Sequence, residues 1–299
     1  MSAPHSLDDL TRLIQSRYPG LSPQFQAGAR YLIDHPTQVS TLSARKLAAL
    51  AGVQPATLVR LAQHLGYAGW DALKAVFTQE LHPPGAYAAR ALSLVHRPES
   101  EQASWQAAIH RQVLNLQALE PVNQAVMTRA VALLADAGRI VVAGFRSCYP
   151  AAFSLRYLCS LFRPDVHLLH NTGGTLSLDT HRLRPEDTVV LIGYAPYSRE
   201  IIELAEALRH GDPSNPPGPE ASRGCRVLAL CDSQLAPMAL HADCVLTFST
   251  QGHSFFPTTV AIQALVEMLA QQLLVRQGEP ALAELGRTEA LLHATGAYR

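Results

Sequence analysis

Residues 189–208 read VVLIGYAPYSREIIELAEAL. An apolar run, VVLI, stops at GYAPYS and gives way to the rhythm of REIIELAEAL, so a strand is expected to end in a short loop that opens onto a helix. Such a junction can hold an anion, because the unpaired N–H groups of a helix's first turn face the loop. Tyr197, Ser198 and Arg199 stand in it. A similar junction, RIVVAGFRS at 139–147, puts Phe145, Arg146 and Ser147 at the end of another apolar run. Arg146 and Arg199 can each donate charge-assisted, bidentate hydrogen bonds to a phosphate or carboxylate, and Tyr197 adds a phenol or a flat wall. Further on, STQGHSFFPTTV at 249–260 offers His253 and Ser254 to the same region, with Phe255 and Phe256 as a wall or a subunit contact. Purely structural roles compete with these. Ser198 can cap a helix, Glu200 suits the positive end of the helix dipole, and Arg199 can pair with Glu203 one turn on.

A different chemistry is suggested by LSARKLAALAGVQPATLVRLAQHLGYAGW, 42–70. One helix is expected to turn Leu47, Ala48 and Leu50 inward and to end at Ala51-Gly52-Val53. A second begins near Pro55 and buries Leu58, Leu61 and Leu65. This is the spacing of a helix-turn-helix, whose second helix lies in the major groove of DNA. Gln54, Thr57, Arg60, Gln63 and His64 then face outward, where Arg60 can grip guanine and Gln54 or Gln63 can pair with adenine. Ser43, Arg45 and Lys46 are placed for phosphates. Between residues 41 and 75 four basic residues, Arg45, Lys46, Arg60 and Lys74, stand against one acid, Asp71. A small helical bundle with a solvated polar face would show the same leucine spacing.

The elements that must carry these residues fall into two regimes. The first 80 or so residues give short helical patterns separated by Gly, Pro or Ser. After the break HPPGAY at 82–87, a helical stretch runs over 101–137. Then RIVVAGF, DVHLLH, TVVLIGY, CRVLALC and CVLTFST alternate with helical segments, which argues for a parallel sheet covered by helices and for ligands at the carboxyl ends of its strands. The segment GDPSNPPGPEASRG, 211–224, reads as a surface insertion. The boundaries expected are a helix-turn-helix domain at 1–82, a linker and connecting helix at 83–124, and an α/β domain at 125–299.

Composition narrows the class without naming it. With 299 residues, 48% hydrophobic and 16% charged, the chain is too apolar for global disorder. Lys+Arg and Asp+Glu balance at 24 each, so the total charge points to no polyanion, although a local basic face can hide within it. Five cysteines without a CxxC pair fit buried reduced thiols better than a zinc site. The start, MSAPHSLDDL, lacks a basic segment followed by an apolar one, and no apolar run reaches the roughly 18 residues of a membrane span. A cytoplasmic protein with no membrane contact, no metal and no cofactor is expected.

AxxAGVxPATLVRLAQHLGY closely resembles the DNA-binding domain of the RpiR/MurR family of bacterial transcriptional regulators, with Gln54 in place of the usual serine and Leu61 in place of phenylalanine. Three later blocks, VVAGFRS at 141–147, VVLIGYAPYSRE at 189–200 and LALCDSQLAPMALHAD at 228–243, resemble the SIS domain that follows in those regulators. The resemblance implies an all-α helix-turn-helix domain followed by an α/β SIS domain with a five-stranded parallel sheet flanked by helices. It also implies a phosphate held by hydroxyls and backbone N–H groups. Ser147 and Ser198 keep hydroxyl positions of that pattern, but Gly193, Ala195 and Pro196 stand where two serines and a glycine would be. Arg146 and Arg199 can compensate.

The function expected is a sequence-specific DNA-binding regulator that senses a small anionic metabolite, a sugar phosphate or related compound. Its DNA partner would be a double-stranded operator with an inverted repeat, read by a homodimer or homotetramer. Two alternatives stand beside it: a sugar-phosphate isomerase, and a regulator whose SIS domain only oligomerises. Isomerisation needs a base beside the substrate. Glu200, His170, His181 and His253 are available, but none sits in a pattern that specifies catalysis, so no catalytic residue is assigned.

Overall fold

The computed structural model describes residues 4, 6–81, 86–96, 100–210 and 224–297. Most of the break at 82–87 and of the insertion at 211–224 therefore lies outside the described residues. The chain divides into two compact units, Met1–Ala89 and Arg90–Arg299.

The first unit is helical throughout, with α1 (Leu7–Arg17), α2 (Pro23–Asp34), α3 (Pro36–Thr41), α4 (Ala44–Leu50), α5 (Pro55–His64) and α6 (Trp70–Leu81). Local chemistry fixes the ends. Ser6 and Ser22 accept hydrogen bonds from Asp9 N and Phe25 N, capping α1 and α2. Between α4 and α5 the chain reverses at Gly52, φ +66°, with Val53 N bonded to Ala48 O at 2.8 Å. A glycine at this left-handed position ends the helix and satisfies its last carbonyls. Leu47, Leu58, Leu61 and Leu65 are buried with Leu10, Ile14, Leu32, Leu73 and Phe77, each such side chain contributing about 1.5–3 kcal/mol. Leu50 departs from the expectation, standing 48% exposed at the end of α4. Val53, folded back by the Gly52 turn, takes the inward place instead.

Helix α7 (Ala86–Val95) crosses the boundary between the units. The second unit continues with α8 (Glu101–Gln117) and α9 (Leu119–Ala135), so the helical stretch over 101–137 is two helices meeting at Ala118. Pro121 explains the break, since it has no N–H for the Gln117 carbonyl and its ring crowds that carbonyl. An α/β array follows: β1 (Ile140–Gly144), α10 (Tyr149–Ser160), β2 (Val166–Leu169), α11 (Leu176–His181), β3 (Thr188–Gly193), α12 (Arg199–His210), β4 (Arg226–Cys231), β5 (Cys244–Thr247), α13 (Val260–Gln277) and α14 (Glu279–Ala294).

The five strands form one parallel sheet in the order β2-β1-β3-β4-β5. Strand residues alternate between two apolar layers. Ile140, Val142, Val190, Ile192, Leu228 and Leu230 face one layer, built with α9, α10 and α13. Val141, Ala143, Val189, Leu191, Val227 and Ala229 face the other, built with α12 and the segment Ala236–Ala239. The chain crosses from β1 outward to β2 and then back to β3, so the loops after β1 and β3 diverge to opposite faces. That leaves a crevice at their carboxyl ends.

Candidate functional site

The crevice brings Arg146 and Ser147 of one loop toward the Tyr194–Ser198 loop of the other. Gly144 permits the approach of α10, because a Cβ there would lie 2.8 Å from Cys148 O and 2.9 Å from Ala152 Cβ. Phe145 is buried beneath the loop, whereas Arg146 is exposed and held at φ +53°. That is left-handed backbone, costly for a residue with a side chain, and such conformations cluster at ligand sites. Burial pushes the Cys148 thiol up to about 12, so no thiolate nucleophile lies here.

On the β3 side, Ser147 Oγ and Tyr194 Oη lie 2.6 Å apart, and the buried Tyr194 ring meets Phe248 edge to face at 6.4 Å. Asp232, just past the end of β4, organises the rest of the loop. Its Oδ2 accepts from Ala195 N at 3.1 Å and its Oδ1 from Tyr197 Oη at 2.7 Å. The Ala195–Pro196 peptide between these contacts is cis. Burial, reinforced by the Asp232 charge, raises the Tyr197 phenol well above its ordinary range and keeps it a donor. Ser198 Oγ accepts from Ile201 N at 3.3 Å, which makes it the cap of α12. Arg199 Nε donates to Glu203 Oε1 at 2.6 Å, with the arginine side chain 88% exposed. Where the resemblance calls for a serine, the space beside Gly193 is filled by Met238, whose Cε would be 2.7 Å from an added Cβ.

The capping and pairing roles of Ser198 and Arg199 are therefore present; Arg146 and Arg199 are both exposed, and Arg199 is paired with Glu203. His253 is half-buried and Ser254 exposed on the loop after β5. Glu200, in the first turn of α12, is half-buried, and His170 and His181 are exposed. Sequence reasoning missed Asp232, Tyr194 and Met238. Asp232 lies in the quoted LALCDSQLAPMALHAD block, but its role depends on a loop 35 residues away in sequence.

In the first unit, α5 turns its leucines inward and its polar side outward, as the leucine spacing requires. Gln54, Arg60, Gln63 and His64 are exposed and Thr57 is half-buried, opposite Leu58, Leu61 and Ala62. The His64 ring packs against Phe25 at 5.7 Å and its carbonyl accepts from Arg17 at 2.9 Å, so His64 also closes the helix. Ser43 begins α4 with no cap bond from its side chain; it and Arg45 are exposed, and Lys46 is half-buried. Lys74, counted among the local positive charges, donates to Leu42 O at 2.9 Å and caps α3.

Comparison with known proteins agrees with both units. A family model described as the helix-turn-helix domain of the rpiR family matches residues 9–84, and a SIS domain model matches residues 133–272. The uncharacterized HTH-type transcriptional regulator YfhH of Escherichia coli is 27% identical over 207 residues, covering 66% of this chain and 71% of that protein. Among solved structures, the Vibrio vulnificus NanR protein complexed with ManNAc-6P shares the fold with a TM-score of 0.61 at 17% identity, covering 96% of this chain and 98% of that one. The sugar isomerase domain of an RpiR transcription factor from Sphaerobacter thermophilus has a TM-score of 0.54 at 25% identity, covering 61% of this chain and 96% of that one. No described helix is long and apolar enough to cross a membrane. The chain thus carries an rpiR-type helix-turn-helix domain followed by a SIS domain on a five-stranded parallel sheet, the two-domain organisation of RpiR-type transcriptional regulators.

Proposed function

We propose that the protein binds double-stranded operator DNA through α5 in the cytoplasm, and that its SIS domain senses a small anionic metabolite, a sugar phosphate or related compound. The observation that carries the sensing half is Arg146, an exposed guanidinium held in left-handed backbone at the switch-point crevice of the sheet. The sugar phosphate ManNAc-6P in the NanR complex, a protein of the same fold, supports this class of ligand. Gln54, Thr57, Arg60 and Gln63 read bases, with His64 at the helix end, while Ser43, Arg45 and Lys46 meet phosphates.

The protein acts as a homodimer or homotetramer on an inverted repeat. Exposed Tyr149, Phe153 and Tyr157 stack along one face of α10, and Trp105, Ile109 and Val113 stand exposed at four-residue spacing on α8; both stripes suit subunit contacts. The effector, anchored by Arg146 and Ser147 with the 197–199 loop, favours one arrangement of the assembly over another. Catalysis is not part of this proposal: the acid at the crevice, Asp232, is engaged by the Ala195 amide and the Tyr197 hydroxyl as the anchor of the loop.

A second reading, in which the SIS domain only oligomerises, draws support from the internal partners of Tyr197, Ser198 and Arg199. A screen of phosphorylated and carboxylated metabolites against the protein–operator complex separates the two. A metabolite that shifts DNA binding in the wild type and not in Arg146→Ala supports sensing. No response to any anion favours oligomerisation alone.

A further inference from the structure

A cavity of about 430 Å³ opens at the carboxyl ends of β4 and β5, against the elbow where α8 meets α9. It lies toward the other side of Asp232 from the β1/β3 crevice, along a sheet whose strands are about 4.8 Å apart. Its size is within the usual range of small-molecule sites. Among its described lining residues the one ionisable side chain is an acid, Asp232, and none is Lys, Arg or His. A phosphate or carboxylate entering here would meet like charge with no cation to offset it.

The remaining chemistry suits hydroxyl groups. Each Asp232 oxygen already accepts one hydrogen bond, which leaves lone pairs for further donors. Asn115, 4% exposed, donates Nδ2 to Gln251 O at 2.6 Å, and its Oδ1 is an acceptor at the cavity wall. Ser249 Oγ accepts from Gln251 N at 3.3 Å, so its own hydrogen can be donated. Thr250 adds a second hydroxyl, while Phe248, Leu119 and Val122 supply apolar wall. Polar groups able to accept and donate, set beside an apolar surface, match a ring that carries hydroxyls at its rim and C–H bonds on its faces.

We propose that this elbow cavity is a second ligand site, distinct from the anion crevice, and that it takes a neutral polyhydroxylated molecule such as a monosaccharide or cyclic polyol. The site also has a route for transmitting occupancy. Asn115 and Gln112 of α8 hold the loop after β5, through Gln251 O and through the Thr258 hydroxyl at 3.0 Å. Asp232 holds the loop of the anion crevice. A neutral ligand in the cavity touches both, and α8 continues by way of α7 toward the helix-turn-helix unit along the chain.

The test is calorimetric titration of the full chain with glucose, galactose, mannose, N-acetylglucosamine and myo-inositol. At least one binds the wild type with a Kd of about 1 mM or tighter. Val122→Trp fills the cavity from a side chain that is 52% exposed, so the fold tolerates it. It weakens that binding at least about tenfold, while Arg146→Ala leaves it unchanged. Thr250→Leu, which removes one hydroxyl of the wall, acts in the same direction and stands in if Val122→Trp folds poorly. Absence of binding by all five compounds overturns the proposal. So does binding that survives both cavity variants, or binding lost in Arg146→Ala but kept in Val122→Trp. Failure of the anion site instead appears as loss of the operator response to charged metabolites, with neutral binding intact.

Discussion

The Tyr197 hydroxyl donates to Asp232 Oδ1 across 2.7 Å, tying the loop after β3 to the end of β4. The same carboxyl group takes the Ala195 amide, so one acid sets the shape of a loop that lacks two of the hydroxyls and the glycine of the family pattern. Tyr197→Phe should lower the stability of the second unit by about 1.5–3 kcal/mol, the range for a hydrogen bond to a charged group. Chemical denaturation measures it. An unchanged midpoint would mean that the loop keeps its shape by packing alone.

Arg146 should trade stability against response. Glycine adopts left-handed backbone without the steric cost of a side chain, so Arg146→Gly should leave stability unchanged or raise it by up to about 1 kcal/mol. It should also abolish the response of DNA binding to the anionic effector. Thermal melts read alongside effector titrations check both halves.

At the other end of the sheet, just before β3, Asp187 is fully buried and accepts from Arg139 Nε at 2.8 Å, Arg139 Nη2 at 2.6 Å and Arg184 N at 2.7 Å. Burial alone would raise its pKa. The hydrogen bonds from Arg139 and the Arg184 amide, with the charges of both arginines, outweigh that and hold it below the ordinary carboxylate range. A depressed folded pKa contributes stability that is present above the unfolded value, near 3.9, and is lost as pH falls through the folded value. Arg139→Ala leaves the acid buried without its cation and should cost about 3–5 kcal/mol at neutral pH. Urea melts from neutral to acid pH should show the wild type losing this increment on acidification, and the variant lacking it throughout.

Much of this was legible in the sequence because it depends on local spacing. Leu47, Leu58, Leu61 and Leu65 recur at helical intervals and are buried, and each of the five apolar runs after residue 138 contains a strand. Leu50 has the same spacing yet is exposed, because the turn at Gly52 hands its place to Val53. The kink at Ala118 was written in Pro121, but helical composition on both sides masked it. Short α11 and the largely exposed α14 lack the buried stripe that announces a helix, and α3 buries the polar Gln38 and Ser40 beside Val39, so no apolar period marks it. In the site, Arg146 was visible as a cation following a buried strand. Asp232, Tyr194 and Met238 were not, since each acts on a partner brought close only by the order of strands in the sheet.

On α5, Arg60 is exposed and opposite the leucines that anchor the helix. Arg60→Ala should weaken specific DNA binding by about 1–3 kcal/mol and relax preference at one position, with no change in thermal stability. Arg45→Ala, at a phosphate, should weaken binding evenly across sequences and reduce its salt dependence. Competition binding to a panel of single-base operator variants distinguishes the two patterns.

The most direct test of the central claim is selection of the purified full-length protein on random duplex DNA at near-physiological salt, since salt sets the non-specific background. The account predicts enrichment of an inverted repeat, with half-sites spaced for a two-fold assembly, and loss of preference at a symmetric pair of positions in Arg60→Ala. Failure to enrich any sequence, with and without a mixture of anionic metabolites, would contradict it.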